Sequence, residues 1–238
     1  MTDAPLDDLR RAVYRPVRTG NALEDTTARI VQTVRLGLVA PGESLPAERE
    51  LAALYGVSRD TVREALRELS DAGWLETRRG RYGGTFVVDP VPRPSEPAVV
   101  SPAELSDVIA LRGVLEPGAA WAAAGRSLSA EERDVLWARH EAAALAEGED
   151  YRRLDTLLHL TIAEFAGIPS LVPLVADNRA RVNAWLDTFP LLPRNIEHST
   201  SQHAAIVSAI LAGRPDAAHA AMRDHLAGSE ALLRGFLA

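Results

Sequence analysis

The sequence predicts a mainly α-helical protein in two parts, with one short β-hairpin. Apolar residues recur at helical spacing through most of the chain, whereas a strand–turn–strand pattern occurs once. A segment with five prolines in fourteen residues, DPVPRPSEPAVVSP, interrupts the helices, because proline cannot continue a helix and stiffens an extended chain. We therefore expect an N-terminal extension at 1–20, a first domain at 21–88, a linker at 89–102 and a second domain at 103–238.

The composition excludes several classes of protein. Of the 238 residues, 47% are hydrophobic and 25% are charged, and no apolar run is long enough to span a bilayer. The N-terminus lacks the apolar segment of a signal peptide, so we expect a cytoplasmic protein without a membrane partner. The chain has no cysteine, which excludes disulfides, thiolate metal sites and cysteine nucleophiles.

The net charge of −7 argues against a nucleic-acid partner, but the charge is unevenly distributed. Residues 1–90 hold 13 arginines and 14 acidic residues, which gives a net charge of −1 for that part. All 26 basic residues are arginine, the residue best suited to bidentate contacts with phosphate and guanine. A GC-rich genome explains an all-arginine chain at least as well.

The first domain is predicted to contain three helices and a hairpin. Apolar stripes place the helices at about 24–38, 46–55 and 59–72. Pro46 suits the first position of the second helix, Gly56 its end, and Ser58 the N-cap of the third helix. The letters WLETRR, GRYGG and TFVV then indicate a strand, a glycine-rich turn and a strand. This order describes a winged helix-turn-helix, with three helices plus a β-hairpin wing.

The third helix carries a ridge of arginines, since Arg59, Arg63 and Arg67 are spaced four residues apart. Near its N-terminus, the hydroxyls of Ser58 and Thr61 and the free backbone N–H groups can meet phosphates. A recognition helix of this kind enters the major groove with its N-terminus first.

The tip of the hairpin is also cationic, with Arg78, Arg79 and Arg81 around Gly80. An arginine ridge alone is more often a solvated face that pairs with nearby acids. Here the ridge occurs together with a tight GVS turn and a cationic wing, and this combination favours DNA binding. The acids that can pair with the ridge are Asp60, Glu64 and Glu68.

The second domain is predicted to be an all-α six-helix antiparallel bundle. Its helices are expected at about 102–125, 129–146, 150–167, 170–189, 195–212 and 215–236. Asp155 and His159 are four residues apart on one face of the third of these helices, and that face is the apolar one. His203 and His225 lie on the apolar stripes of two further helices. The other histidines are assigned to the surface: His140, His198 and His219.

One inward aspartate and three inward histidines predict a divalent metal site. A single inward histidine is more often a satisfied core side chain than a ligand. A buried aspartate, in contrast, must be paired or must bind a cation. One carboxylate and three imidazoles suit zinc, or else nickel, manganese or iron.

The stretch PGESLPAERELAALYGVSRDTVREALRELSDAGWLETRRGRYGGTFV resembles the DNA-binding domain of the GntR family of bacterial transcription regulators. The resemblance covers about residues 22–88, where LPAERELA, GVSRDTVREAL and GWL stand in the family's order. It implies that Arg59 and Arg63 read guanine and that Arg49 holds a phosphate. The complete set of implied DNA contacts is Arg49, Ser58, Arg59, Asp60, Thr61, Arg63, Arg79 and Gly80.

The remainder, at about residues 104–236, is similar to the FCD effector domain of the FadR-type branch of that family, nearest its VanR-like, metal-binding subgroup. LRGVLEPGAAWAAA, DTLLH, SQHAAIVSAI and AMRDHL carry the resemblance. It implies a metal held by Asp155, His159, His203 and His225. It also implies a small carboxylate effector bound on or beside that metal.

An acid effector needs a cation in its pocket, and Arg112 is the first candidate. Its helix has an inward face with Val108, Leu111 and Leu115, although a surface arginine is an equally good interpretation. Three residues on one face of helix 170–189 are further candidates, although a tryptophan at helical spacing is more often core than pocket. They are Asn178, Arg181 and Trp185.

Two functions from different classes remain open at this stage. The first is a homodimeric regulator, expected to be a repressor, that binds a two-fold symmetric operator and responds to the acid. The second is a metal-dependent, hydrolase-like enzyme that uses the Asp/His₃ site. Against the second, the chain has no HExxH motif and no acid placed as a general base beside the ligands.

Overall fold

The computed structural model describes residues 13–14, 22–80, 83–92, 100–146, 148, 150–188 and 191–237. Within these ranges it contains nine helices and one two-stranded sheet, which confirms the mainly α fold class. The chain forms two compact units, Met1–Pro94 and Ser95–Ala238. Much of the predicted extension and of the predicted linker lies outside the described residues, as does Arg81.

The first unit contains three helices and a hairpin in the predicted order. A buried apolar cluster, which includes Ile30, Leu51 and Val62, holds the three helices together. The only described residues before Ala22, Val13 and Tyr14, are also buried. The elements are α1 (Ala22–Arg35), α2 (Glu48–Tyr55), α3 (Arg59–Asp71), β1 (Leu75–Arg78) and β2 (Gly84–Val87).

The turn between α2 and α3 depends on its local sequence. Gly56 ends α2 in the left-handed conformation, with φ of 68°, and its N–H donates to the carbonyl of Ala52. Ser58 is the N-cap of α3, and its hydroxyl accepts from the N–H of Thr61 at 3.0 Å. The expectation that Pro46 opens α2 is wrong, because Ala47 is still extended and the helix begins at Glu48.

The hairpin pairs β1 with β2 in antiparallel register, from Leu75 opposite Val87 to Arg78 opposite Gly84. Gly83 closes its turn, where a Cβ atom would lie 2.5 Å from the carbonyl oxygen of Arg78. Only glycine fits there without displacing backbone. The wing therefore presents Arg79 and Gly80 on a tight turn.

The second unit consists of six helices, and α4 (Pro102–Ala124) packs against four of the other five. α4 packs against α6, α7, α8 and α9, while α5 packs against α6 and α8. No helix within the described ranges is long and apolar enough to cross a membrane. The helices are α4 (Pro102–Ala124), α5 (Ala130–Ala144), α6 (Asp150–Phe165), α7 (Leu171–Leu186), α8 (Pro193–Leu211) and α9 (Pro215–Leu237).

His140 corrects one expectation about this unit. It was expected at the surface, but it is only 7% exposed. Together with Leu136 and Ala143 it forms the buried stripe of α5, at spacings of four and three residues. Its ring packs edge-to-face on Trp137 with centroids 5.5 Å apart.

The N-terminus of α5 carries a capping box that can be tested. The Ser129 hydroxyl accepts from the N–H of Glu132 at 3.1 Å, and the Glu132 carboxylate accepts from the N–H of Ser129 at 2.7 Å. We expect Ser129→Ala to lower the free energy of unfolding by about 1 kcal/mol, measured by urea denaturation. Ser127→Ala, two residues earlier on the exposed loop, is the control and should change it by less than about 0.5 kcal/mol. Equal effects of the two substitutions would contradict the role of the cap.

Candidate metal centre and DNA interface

Four side chains from three helices converge at the centre of the second unit. Asp155 and His159 come from one face of α6, His203 from α8 and His225 from α9. One ligand atom from each lies within 4.8 Å of the others. The three imidazoles are 2–5% exposed, so the cluster is closed to bulk solvent on most sides.

Four of the six distances between these atoms are close to those in the ligand shell of a small metal ion. The Nε2 atom of His203 lies 3.3 Å from that of His159, 3.2 Å from that of His225 and 3.3 Å from the Oδ1 atom of Asp155. Asp155 Oδ1 and His159 Nε2 are 3.7 Å apart. With metal–ligand bonds of about 2.0–2.1 Å, the ligand atoms of a tetrahedral zinc site are about 3.3–3.4 Å apart. The residues present therefore fit a divalent metal.

The tautomers of two histidines are set by neighbours on their other ring nitrogen. The Nδ1–H of His159 donates to the carboxylate of Glu116 in a short hydrogen bond. The Nδ1–H of His225 donates to Gln202 Oε1 at 3.2 Å, and the amide of Gln202 is oriented because its Nε2 donates to the carbonyl of Asp224 at 3.2 Å. Both Nε2 lone pairs thus face the centre, as in carboxylate–histidine–metal triads.

A fully buried guanidinium completes the surroundings of the cluster. Arg179 is 2% exposed and donates to the Oδ2 atom of Asp155 and to the carboxylate of Glu116, at 3.2 Å for the latter. Arg112 donates from Nε to Glu116 at 2.7 Å and from its terminal nitrogen to Ser229 at 2.8 Å. Two buried arginines therefore balance two carboxylates, and the three histidines add no charge when neutral.

Burial and charge keep the ligands in the protonation states that a metal requires. Burial first, and then Arg179, lowers the pKa of His159 to about 4, although Glu116 and Asp155 oppose the shift. Burial, assisted by the neighbouring histidines, lowers the pKa of His225 well below its usual range. Burial alone would raise the pKa of Asp155, but Arg179 and the imidazoles together hold it well below its usual range. At neutral pH the site therefore offers neutral imidazoles at His159 and His225 and an ionised carboxylate at Asp155.

In the first unit, the arginines of α3 lie at the surface and are held by nearby acids. The side chains of Arg59 and Arg63 are 61% and 56% exposed. Arg63 donates to Asp60 at 3.1 Å and to Glu48 of α2 at 3.3 Å, and Arg59 lies 3.8 Å from the same Glu48 carboxylate. Arg67 pairs with Glu64. Of the predicted acids, Asp60 and Glu64 pair with the ridge, and the pairing leaves the arginines accessible.

The rest of the predicted interface is also at the surface of this unit. Arg49 on α2 and Arg79 and Gly80 on the wing are exposed. The hydroxyls of Ser58 and Thr61 lie 2.8 Å apart at the N-terminus of α3. Arg78 is directed back over the ring of Phe86 at 4.2 Å, so this arginine packs on the hairpin instead of extending from its tip.

Comparison with protein families decides the identity of both units. Residues 23–87 match the model described as bacterial regulatory proteins, gntR family, and residues 107–228 match the FCD domain. The chain belongs to the GntR family of bacterial transcription regulators. As a GntR regulator it binds DNA through its first unit and is not an enzyme, which decides against the alternative of a metal-dependent hydrolase.

Relatives and solved structures agree with the family. The putative HTH-type transcriptional regulator RmpR of Mycobacterium gastri is 30% identical over 90% of this chain and 81% of that protein. The putative L-lactate dehydrogenase operon regulatory protein of Escherichia coli is 29% identical over 94% of this chain and 90% of that protein. The structure of E. coli McbR/YncC shares the fold, with a TM-score of 0.55, 17% identity and coverage of 91% of this chain and 99% of that one.

A cavity of about 160 Å³ in the FCD domain of this GntR regulator adjoins the metal cluster. Asp155 and His225 form part of its wall, and so does Arg112, which is 6% exposed. The interpretation of Arg112 as a surface arginine is therefore wrong. Leu111, which was expected to face inward, is 43% exposed, because the inward stripe of α4 runs through Val108, Arg112 and Leu115.

The other three predicted effector residues do not line this cavity. Asn178 is buried and donates to the carbonyl of Val108 at 3.0 Å, which ties α7 to α4. Trp185 is 4% exposed within an apolar cluster of the second unit. Arg181 is exposed and bonded to Glu104 at 2.7 Å. The residues of α7 that reach the metal cluster and the cavity are instead Arg179, which bonds to Asp155, and Asn183, which lines the cavity.

Three residues of this GntR regulator were missed by the sequence analysis: Glu116, Arg179 and Glu48. Glu116 could have been found from its position four residues after Arg112, because residues at this spacing form ion pairs along one helix face. Arg179 could have been found from its position four residues after Val175 and three before Val182, because this spacing places it on the buried stripe of α7. Glu48 lies in a different helix from the arginines that it contacts, and their spacing in the sequence does not reveal that contact.

The metal site is tested by comparing the zinc affinity of two variants, one that loses a ligand histidine and one that loses another histidine on the same helix. His225→Ala should lower zinc affinity by at least about 100-fold, because a ligand is lost outright. His219→Ala, also on α9 but half-buried and outside the cluster, should leave the affinity unchanged. Competition with a chromophoric chelator measures both. Equal zinc affinity in the two variants would contradict the assignment.

The low pKa of His159 predicts a pH dependence of the metal-free protein. Between pH 6.5 and about 4, unfolded His159 takes up a proton that folded His159, with its pKa of about 4, does not. Stability should therefore be full above pH 6.5 and fall on acidification, by up to about 1.4 kcal/mol per pH unit from this group. Urea unfolding at a series of pH values should give a shallower slope for His159→Gln and an unchanged slope for His219→Gln. Parallel slopes for all three proteins would show that His159 does not contribute.

Proposed function

We propose that this GntR regulator is a repressor whose operator binding is controlled by a small carboxylate held at a divalent metal in the FCD domain. One observation carries the proposal: two of the four convergent ligands, Asp155 and His225, border a cavity whose wall also contains a buried arginine. Such a cavity can accept a ligand that reaches the metal and the cation together.

In this proposal the metal is held by Asp155, His159, His203 and His225, with zinc first and nickel, manganese or iron as alternatives. The bound ion would supply positive charge and coordination positions for carboxylate oxygens. The chain itself keeps His159 and His225 neutral, turns their Nε2 atoms inward and fixes the carboxylate of Asp155 through Arg179.

The charge balance of the site favours an acid as the effector. Without the ion, Asp155 and Glu116 cancel the charges of Arg112 and Arg179. A divalent ion would leave an excess of two positive charges in a buried region, where uncompensated charge is costly. An anion in the adjoining cavity reduces that excess, so we infer an acidic effector, with Arg112 beside it.

For DNA, the proposal assigns Arg59 and Arg63 to guanine and Arg49 to phosphate. The positions of Arg59 and Arg63 support this role, because both are exposed while Glu48 restricts their conformations. Asp60 can accept from the amino group of cytosine next to Arg63. The remaining assigned contacts, at the N-terminus of α3 and on the wing, are Ser58, Thr61, Arg79 and Gly80.

The proposed active form is a homodimer in the cytoplasm, bound to a two-fold symmetric operator. The acid would lower operator affinity, and by linkage operator DNA would lower acid affinity by the same factor. The name of the E. coli relative refers to an L-lactate dehydrogenase operon, which makes L-lactate a rational first acid to try.

Two arginine substitutions distinguish base contacts from phosphate contacts. With an operator recovered by selection from random duplexes, Arg63→Ala should lose about 1–3 kcal/mol of operator affinity and discriminate less against random DNA. Arg49→Ala should weaken operator and random DNA equally and reduce the salt dependence by about one unit of slope. Arg67→Ala, on the same ridge but paired with Glu64, is the control and should have a smaller effect than either. Uniform weakening by Arg63→Ala would refute its role in reading bases.

Regulation by an acid is tested on the intact, zinc-loaded protein. In a set of carboxylates that includes L-lactate, an acid that is an effector should raise the apparent melting temperature, because it binds the native state. An acid that does so should also weaken operator binding in a mobility-shift assay. Acids that stabilise the zinc-loaded protein and strengthen operator binding would contradict release of DNA, and no effect of any acid would contradict the effector site.

A further inference from the structure

Five helices border the cavity beside the metal cluster, and on four of them the lining residues lead away from the cluster. On α6 and α8 the lining residues lead away from the metal cluster toward the N-terminus of the helix. On α7 and α9 they lead away from it toward the C-terminus. On α9, the lining runs from His225 to Leu232, seven residues or about 10 Å of helix. The cavity therefore has a metal end and a far end.

The metal end is polar, and its side chains are held by hydrogen bonds to one another. It is bordered by Asp155, His225 and Arg112, together with Gln202 and Ser229, whose polar atoms bond to His225 and Arg112. A carboxylate fits here, because the end offers a buried guanidinium beside the ligand cluster.

The far end is aliphatic. Beyond the metal end, leucine and isoleucine side chains from α7, α8, α9 and the segment that precedes α8 form much of the wall. An apolar group gains free energy on entering such a wall, in proportion to the area removed from water. The side chains are Leu186, Leu191, Leu192, Ile196 and Leu232.

The remaining polar groups around the cavity already have partners or lie at its opening. The guanidinium of Arg152 bonds to Asp187 at 3.2 Å, which balances its charge. Tyr151 and Ser199 bond to each other. His198 and Asn195 are exposed. A second carboxylate at the far end would therefore lose its hydration among aliphatic side chains.

The size of the cavity limits the apolar group. Its volume of about 160 Å³ is close to that of an engineered cavity of about 150 Å³ that binds benzene. We propose that the effector is a monocarboxylic acid with a compact apolar group of about four to six carbon atoms, and not a dicarboxylic or polyhydroxylated acid. This inference rests on the proposed function, since it assumes that a carboxylate binds at the metal end.

The inference is tested by calorimetric titration of the full-length, zinc-loaded protein with two sets of acids. One set increases in chain length, and the other consists of six-carbon acids that differ in polarity. Acetate, butanoate and hexanoate form a series in which affinity should rise about fourfold for each added methylene. Hexanoate should bind at least about tenfold more tightly than adipate or gluconate, which also have six carbon atoms but carry polar groups at the far end. Zinc content measured after each titration controls for removal of the metal by the acid.

The outcomes separate this inference from the proposed function. If adipate or gluconate binds as tightly as hexanoate, or if chain length has no effect, the apolar specificity is wrong while the carboxylate site stands. If none of these acids binds the zinc-loaded protein, the inference and the proposed effector site fail together.

A pair of leucine variants locates the apolar subsite. Leu232→Asn should lower hexanoate affinity by about tenfold or more and leave acetate affinity within about twofold, since acetate does not reach the far end. Leu174→Asn, on a leucine that is 46% exposed and outside the cavity, should change neither affinity. Equal losses of acetate and hexanoate in Leu232→Asn would show that Leu232 acts on the fold and not on the apolar group.

Discussion

The hydrogen-bonded ion pairs among Glu116, Arg179 and Asp155 are the interaction on which the second unit depends. These charges come from three different helices, and all three side chains lie in the interior. Removal of one partner from such a buried set typically costs about 3–5 kcal/mol, because the remaining charge is left unpaired. The positions of α4, α6 and α7 are therefore coupled electrostatically as well as by packing.

The same ion pairs determine how the metal ligands are presented. Arg179 occupies one oxygen of Asp155 and leaves the other directed at the imidazoles, while Glu116 fixes the tautomer of His159. Arg112 extends the network from Glu116 to the cavity wall and to Ser229 on α9. Under the proposed function, an acid that binds Arg112 acts directly on α4, the first helix after the linker segment, so that ligand binding and the position of this helix are linked.

Much of the fold was predictable, because helical periodicity is a local property of the sequence. Asp155 and His159 were identifiable from their spacing of four residues, and His203 and His225 from their places on apolar stripes. Contacts between charges on different helices were not predictable in this way. Arg179 was overlooked because a charged residue is normally assigned to the solvent side. The face of α7 that was chosen instead buries Asn178 and Trp185 but does not border the cavity.

Burial of polar residues also explains the remaining differences. His140 is buried on α5 among Leu136 and Ala143, although its polarity favoured a surface position. Arg112 replaces Leu111 on the inward stripe of α4 because Glu116 and Ser229 satisfy its guanidinium. Such exchanges depend on partners that become adjacent only in the folded chain, and they concentrate around the candidate metal centre.

X-ray absorption at the zinc edge of the zinc-loaded protein tests the central claim most directly. The site predicts a first shell of nitrogen and oxygen only, at about 2.0–2.1 Å, with multiple scattering from three imidazoles. A spectrum with one imidazole or none would contradict it, because zinc would then be bound somewhere other than Asp155, His159, His203 and His225.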